Sequence, residues 1–376
     1  MKNIKKLNVN LFLIMIFMLS ACQQQWEIEI TSNGQVKGLI NENSVAFYLE
    51  KSAEEVVALP LGQMLYDLGF TLVDQIILTS NRDQSQSFNW GEIAQTSTIS
   101  ATGEIKIYDE VFSPTSIDVI TPDRDSEIEL SIMDIAPTMA DALGLPGFPN
   151  SQGRSRHFNP AQKGVLILLD GLQYEKLISM SEAGELPFFQ GLMPIAQGLT
   201  VYPPITTSAT AAVLTGTPPK INGVFGYGYR STDLTTLIDL AADNGITVKA
   251  VEGSSLSFNL RNAETILSGD RDGDGFSDDN VFSNSMEIIQ RDMPGLLFIH
   301  FHEIDDMGHR YGPESEEYEA AIIRVDEYLS ELFEVLPTGT FISIFADHGM
   351  HATDDGGNHG TLTAEDLIIP IIFLEK

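Results

Sequence analysis

Four short runs of the chain are apolar at nearly every position: Val165–Leu169, Leu296–Ile299, Phe341–Phe345 and Ile368–Ile372. Continuous apolar runs of this length predict strands covered on both faces. Segments with helical spacing, Leu234 to Asn244 and Ser315 to Leu336, lie between them. Strands alternating with helices predict an α/β fold with a mostly parallel sheet and helices on both faces. The earlier part of the chain reads differently. Trp26-Glu27-Ile28-Glu29-Ile30 alternates apolar and polar, as a half-buried strand does. Ser44 to Glu50 and Asp74 to Thr79 are further expected strands, and Ser52 to Leu68 has helical spacing with Gly69 as its stop. Residues 85–120 read as β structure with loops. The expected division is a small α+β module at 22–104 and a large α/β domain at 105–376.

The first residues form a separate unit. Lys2, Lys5 and Lys6 precede an apolar stretch from Leu11 to Leu19, followed by Ser20-Ala21-Cys22. A basic start, an apolar middle and small residues before a cut predict a signal peptide over 1–21. Cys22 is the only cysteine. The arrangement resembles a bacterial lipoprotein signal, which implies a lipid anchor on Cys22 and a place on the cell envelope, facing the periplasm or the exterior. With no second cysteine, disulfides contribute nothing to stability.

Charge narrows the function. There are 53 acidic residues against 21 basic ones, a net charge of −32. Such a surface repels nucleic acid, so no nucleic-acid-binding role is expected. An anionic substrate would need a local positive centre, and with so few Lys and Arg a metal ion is the obvious source.

Ligands in open parallel sheets bind beyond the carboxyl ends of the strands. The run ending at Leu169 is followed by Asp170-Gly171, and the run ending at Ile299 leads into His302-Glu303-Ile304-Asp305-Asp306-Met307-Gly308-His309. The run ending at Phe345 is followed by Ala346-Asp347-His348-Gly349, and Asn358-His359-Gly360 comes soon after. Carboxylates with imidazoles are a ligand set suited to zinc.

The order of these words resembles the alkaline-phosphatase superfamily, and within it the type I phosphodiesterase and nucleotide pyrophosphatase family. The words are Leu169-Asp170-Gly171; Pro203-Pro204-Ile205-Thr206-Thr207-Ser208 leading to Leu214-Thr215-Gly216-Thr217-Pro218-Pro219; Glu303 to His309; Asp347-His348-Gly349-Met350; and Asn358-His359-Gly360. The resemblance covers roughly 160–376 and implies two zinc ions. Asp305, His309 and His359 match the ligands of one. Asp170, Thr206, Asp347 and His348 match those of the other. Thr206 matches the family's nucleophile by its place nine residues before Thr215, with Thr207 and Ser208 as rival hydroxyls and Asp306 as the rival to Asp305.

In chemical terms, a metal-activated Thr206 would attack a phosphoester, and two ions roughly 4 Å apart would clamp the entering and leaving oxygens. A phospho-threonine intermediate would follow. The expected activity is phosphoester hydrolysis of the phosphodiesterase type on a small-molecule substrate. The alternatives are a phosphomonoesterase, a phosphotransferase or phosphomutase on the same scaffold, and a non-catalytic calcium-binding surface lipoprotein. One departure stands out: where nucleotide pyrophosphatases usually carry an Asn that helps bind the phosphoryl oxygen, Tyr227 stands nearby. His300 and His302 read as core or supporting residues rather than ligands.

Two further expectations concern the scaffold. Asp270, Asp272, Asp274 and Asp278, in a loop insertion at 268–281, have the alternating oxygen spacing of a calcium site, with Gly275 at the turn. Met133-Asp134-Ile135-Ala136-Pro137-Thr138 and Leu143-Gly144-Leu145-Pro146 resemble words that the superfamily usually places after its last histidine ligand. A circular permutation is therefore expected, with 105–155 as the moved piece.

Overall fold

The computed structural model describes residues 26–51, 56–81, 84–122, 128–271, 273 and 275–376. The expected signal peptide and Cys22 lie outside them, as do Asp272 and Asp274. The chain forms two units: one runs to Leu68 and resumes over Asp74–Ile120, and the other comprises Gly69–Val73 and Thr121–Lys376.

In the N-terminal unit, β1 (Glu27–Ser32), β2 (Gln35–Asn41), β4 (Gln75–Thr79), β5 (Ser85–Asn89) and β9 (Ser116–Ile120) form a mixed sheet in the order β2-β1-β9-β4-β5. A second sheet holds β3 (Ala58–Pro60), β6 (Thr98–Ser100), β7 (Ile105–Ile107) and β8 (Glu110–Phe112). The alternation read in β1 is a real inside–outside pattern, with Ile28 and Ile30 buried and Glu27 and Glu29 exposed. Two local expectations fail. Ser44 to Glu50, expected as a strand, lies in the helix Glu42–Leu49, because Asn41 caps the Ser44 amide and starts a helix there. Of the helix expected over 52–68, residues 52–55 lie outside the described residues, and among the rest the helix is Leu61–Asp67: Pro60 lacks an amide hydrogen and holds its predecessor extended, so strand β3 precedes it.

The larger unit is built on an eight-stranded sheet in the order β10-β12-β19-β16-β11-β15-β13-β14. These are β10 (Leu130–Ser131), β11 (Lys163–Leu169), β12 (Ala196–Leu199), β13 (Val248–Glu252), β14 (Glu264–Leu267), β15 (Leu296–Phe301), β16 (Thr340–Phe345) and β19 (Ile368–Glu375). Every residue of β15 and β16, and all but the first of β11, is buried, so both faces of the sheet are covered. Strands β16, β11, β15, β13 and β14 run parallel. Strand β19 was expected to extend this parallel set, but it is antiparallel to both β16 and β12. The chain returns from β16 through the hairpin β17 (His351–Thr353) and β18 (Gly356–Asn358) and one short helix, Ala364–Leu367, without a long crossover helix.

The division differs from the expected boundary at 104/105. Strands β7 and β8 pair beside β6, and β9 pairs with β1 and β4, so residues to Ile120 complete the N-terminal sheets. The piece expected to have moved, 105–155, is thus split between the units. Its later part belongs to the large one: β10 pairs with β12, and the helix Ile135–Ala142 contributes Ile135, Ala136 and Met139 to the core beneath the sheet.

Candidate metal centre

Four neighbouring parallel strands end on one side of the sheet, and three of them lead into the polar residues expected there. Strand β11 delivers Asp170 directly. Gly171 follows with φ +71°, and a Cβ there would lie 2.8 Å from Asp305 Oδ1, so only glycine permits this close approach. Strand β15 leads into the helix Glu303–Tyr311, which carries Asp305 and His309 one turn apart, with His309 Nε2 3.3 Å from Asp305 Oδ2. Strand β16 delivers Asp347 and His348, and the β17–β18 hairpin delivers His359.

Thr206 opens the helix Thr206–Thr215. Its Oγ1 lies 3.5 Å from Asp170 Oδ1 and 3.5 Å from His348 Nε2. The rival hydroxyls are placed elsewhere: Ser208 is buried and donates to the Val224 carbonyl, and Thr207 is buried with its hydroxyl unpaired. Asp170 Oδ1 is 3.4 Å from His348 Nε2, and Asp347 Oδ1 accepts from the backbone amides of Gly171 and His348. The ligand atoms of Asp170, Asp347 and His348 converge within 4.8 Å of one another, as do those of Asp305, His348 and His359. His309 joins the second group, its Nε2 3.1 Å from His359 Nε2.

Three features fit this constellation to cations. His309, His348 and His359 each direct Nδ1 to a backbone carbonyl, of Gly357, Gly349 and Pro204 respectively, at 3.0, 2.9 and 2.9 Å. A carbonyl only accepts, so each Nδ1 carries a hydrogen and each Nε2 points inward, where loss of its proton exposes the lone pair a metal requires. Asp347 Oδ2 and Asp305 Oδ1 are buried without a hydrogen-bond partner. Finally, the contact between His309 and His359 is a hydrogen bond only while one Nε2 holds a proton, which a cation would displace.

Residues 254–369 match the model of the type I phosphodiesterase / nucleotide pyrophosphatase family. Over that stretch the chain is similar to this family, which lies within the alkaline-phosphatase superfamily. The matched stretch contains Asp305, His309, Asp347, His348 and His359, while Asp170 and Thr206 precede it. Among curated relatives, GPI ethanolamine phosphate transferase 3 of Schizosaccharomyces pombe is 22% identical over 225 residues, covering 53% of this chain and 23% of the relative. Phosphopentomutase of Herpetosiphon aurantiacus is 41% identical over 75 residues, covering 20% of this chain and 19% of the relative. The chain thus spans less than a quarter of either relative's length. Murine ectonucleotide pyrophosphatase / phosphodiesterase 5 is 19% identical with a TM-score of 0.41, over 50% of this chain and 58% of that one.

The centre is strongly polarised. Burial alone would raise Asp170, but hydrogen bonds from His300 and His302 and the nearby histidine charges hold it well below the usual carboxylate range. Burial and the Asp170 charge push Asp347 up to about 7. The Asp305 hydrogen bond raises His309 to about 9. Burial opposes protonation of His348, yet the Asp347 and Asp170 charges carry it to about 9. Burial and the charge of His348 depress His359 to about 4.

Other candidates fall into place around the centre. Asp306 belongs to neither convergent group. Tyr227 is 55% exposed, and its Oη lies 3.3 Å from His359 Nε2. Burial, then the charges of Asp305, Asp170 and Asp347, raise its pKa. Asp278 is not turned to the acidic loop: it is buried, its two oxygens accept from the His302 and Glu303 amides, and it fixes the start of the helix bearing Asp305. Asp270 closes its own loop by accepting from the Gly273 and Gly275 amides. One neighbour of these histidines is not among the residues expected from the sequence. Glu252 ends β13, and its Oε2 lies 3.0 Å from His300 Nδ1 and 3.3 Å from His302 Nε2. The signal was present in Val248-Lys249-Ala250-Val251-Glu252-Gly253, a carboxylate and glycine closing an apolar strand just as Asp170-Gly171 do.

In the metal-free protein, Asp347, His309 and His348 bind protons up to about pH 7, 9 and 9. A metal must displace those protons, so binding should release protons and strengthen as pH rises from 6 to 9. Calorimetric zinc titrations in buffers of different ionisation enthalpy would show this. Affinity independent of pH over that range would contradict the ligand assignment.

Proposed function

We propose that this chain is a two-metal phosphoester hydrolase of the phosphodiesterase type, with Thr206 as its nucleophile. The observation that carries the reading is the position of Thr206 Oγ1, equidistant at 3.5 Å from Asp170 and His348 at the first residue of a helix. Asp170, Thr206, Asp347 and His348 would hold one ion, and Asp305, His309 and His359 the other. Three imidazoles with carboxylates suit zinc. When bound, the ions supply positive charge that makes the threonine hydroxyl easier to ionise and stabilises the entering and leaving oxygens.

The chain's own groups do the rest. The amino end of the helix Thr206–Thr215 directs its partial positive charge and unpaired amides toward an anion placed beside Thr206. Oγ1 bonds to phosphorus as the bond from phosphorus to the leaving oxygen breaks. Water then cleaves the phospho-threonine and restores the hydroxyl. Tyr227, a protonated phenol at neutral pH, stands at the exposed side of the centre, where its O–H can donate to a phosphoryl oxygen.

Transfer of the same phosphoryl group to an alcohol instead of water is the second reading. It is favoured by the phosphate transferases among the relatives. The lipoprotein-like start of the chain supports a further part of the proposal, a lipid anchor on Cys22 that holds the enzyme at a bacterial envelope.

Thr206→Ala should lower kcat on bis-p-nitrophenyl phosphate by about a thousandfold or more, with zinc content retained. Thr207→Ala and Ser208→Ala should keep most activity, and the opposite pattern would displace Thr206 as nucleophile. Adding an alcohol acceptor separates hydrolysis from transfer: a transferase would divert most product to the new ester. For the anchor, Cys22→Ser should move the protein from the membrane fraction to the soluble fraction, and an unchanged distribution would remove that part of the proposal.

A further inference from the structure

Two imidazoles lie between two carboxylates beside the centre. His300 and His302 alternate on and just beyond β15, and their rings lie with centroids 3.6 Å apart and planes inclined by 34°. On one side, His300 Nε2 is 3.1 Å and His302 Nδ1 3.4 Å from the same atom, Asp170 Oδ2. On the other, the remaining nitrogens of both rings face a single atom of Glu252, Oε2. Glu252, His300 and Asp170 are buried. Both nitrogens of each ring therefore face carboxylate oxygens, and the convergence of Asp170, His300 and His302, a set that could also hold a cation, is the alternative that the titration below separates.

The consequence falls on Asp170. Its Oδ2 is held by two rings, so Oδ1 is the oxygen presented to Thr206 and His348. A carboxylate free to rotate about its last bond would exchange the two. The rings cannot turn away while Glu252 holds their far edges. The next residue supports the same arrangement: a Cβ on Gly253 would lie 2.9 Å from His302 Cδ2 and 2.6 Å from Ser277 Oγ, so glycine leaves the space that the His302 ring fills.

We infer that Glu252 is a positioning residue of the centre: through His300 and His302 it fixes Asp170 so that one oxygen alone faces Thr206 and His348. The inference rests on the two-metal reading of the site but not on any particular reaction. Supporting partners of metal ligands are commonly worth 10–100-fold in affinity.

The test is calorimetric titration of Zn2+ into the metal-stripped full chain, comparing wild type with Glu252→Ala, Glu252→Gln and Gly253→Ala. Wild type should bind two equivalents. Glu252→Ala should weaken one of them by roughly 10–100-fold and leave the other unchanged. Glu252→Gln, which keeps one accepting oxygen, should recover part of the loss. Selective loss at one site separates positioning from general damage, which would weaken both and lower the melting temperature of the metal-free protein. If Glu252→Ala does not fold, Gly253→Ala carries the test, since it displaces His302 with Glu252 intact and should also weaken one site only. Wild-type affinity at both sites in all three variants would overturn the inference. So would a third equivalent lost with Glu252, because the group would then be a cation site itself. Two-site binding with the expected losses but no phosphoester hydrolysis would uphold Glu252 and reject the proposed activity.

Discussion

Asp347 Oδ2 and Asp305 Oδ1 are buried carboxylate oxygens without a hydrogen-bond partner, and the centre depends on how that deficit is met. Leaving an ionised carboxylate buried and uncompensated costs several kcal/mol. The metal-free protein meets part of the cost with protons: Asp347 is pushed up to about 7, and His309 and His348 to about 9. Cations meet it more completely, because the inward Nε2 lone pairs and the bare oxygens are then all used. The surrounding backbone serves this arrangement. Three carbonyls orient the imidazoles, the Gly171 and His348 amides hold Asp347 Oδ1, and Asp278 fixes the turn before Asp305. The acidity of the chain sharpens the requirement. With a net charge of −32, the anionic phosphoester of the proposed reaction would meet a repulsive surface unless the centre itself were positive.

The sheet explains why so many polar side chains can gather on one side of a hydrophobic core. Strands β16, β11, β15 and β13 are adjacent and parallel, so their carboxyl ends open on the same edge. Residues far apart in sequence, Asp170 and Asp347, are brought together by adjacent strands in register. The antiparallel return of β19 leaves the β16–β19 connection free to carry Asp347, His348 and His359 in one excursion over that edge. Gly171 is what this crowding demands of the backbone: its positive φ and missing side chain let Asp305 approach the end of β11.

The legible parts of this molecule were those governed by local pattern. Unbroken apolar runs mark the central strands, and the polar words at their ends include Asp170, Asp305, Asp347, His348 and His359, whose ligand atoms converge, with Thr206 and His309 beside them. Non-local pairing was harder. Nothing within Ile368–Ile372 distinguishes a parallel from an antiparallel neighbour, since both are buried on two faces; the direction follows from the connection. Residues 105–120 have the composition of strands, but β9 pairs with β1 and β4, which lie far back in the chain, and β7 forms a hairpin with β6 across the expected boundary, so the boundary falls later than the sequence suggests. Asn41 overrode the strand expected over Ser44 to Glu50 through one side-chain cap. Asp278 was assigned to its acidic neighbours in sequence, whereas its fold position turns it to the amides after β15. Glu252 went unnoticed because its histidine partners are set by pairing between β13 and β15, not by spacing along the chain.

The most direct test of the account is anomalous diffraction at the zinc edge from crystals of the full chain loaded with zinc. The account predicts two peaks per chain, one bounded by Asp170, Thr206, Asp347 and His348, the other by Asp305, His309 and His359. A single peak, or a peak lying between His300 and His302 in place of either, would contradict it.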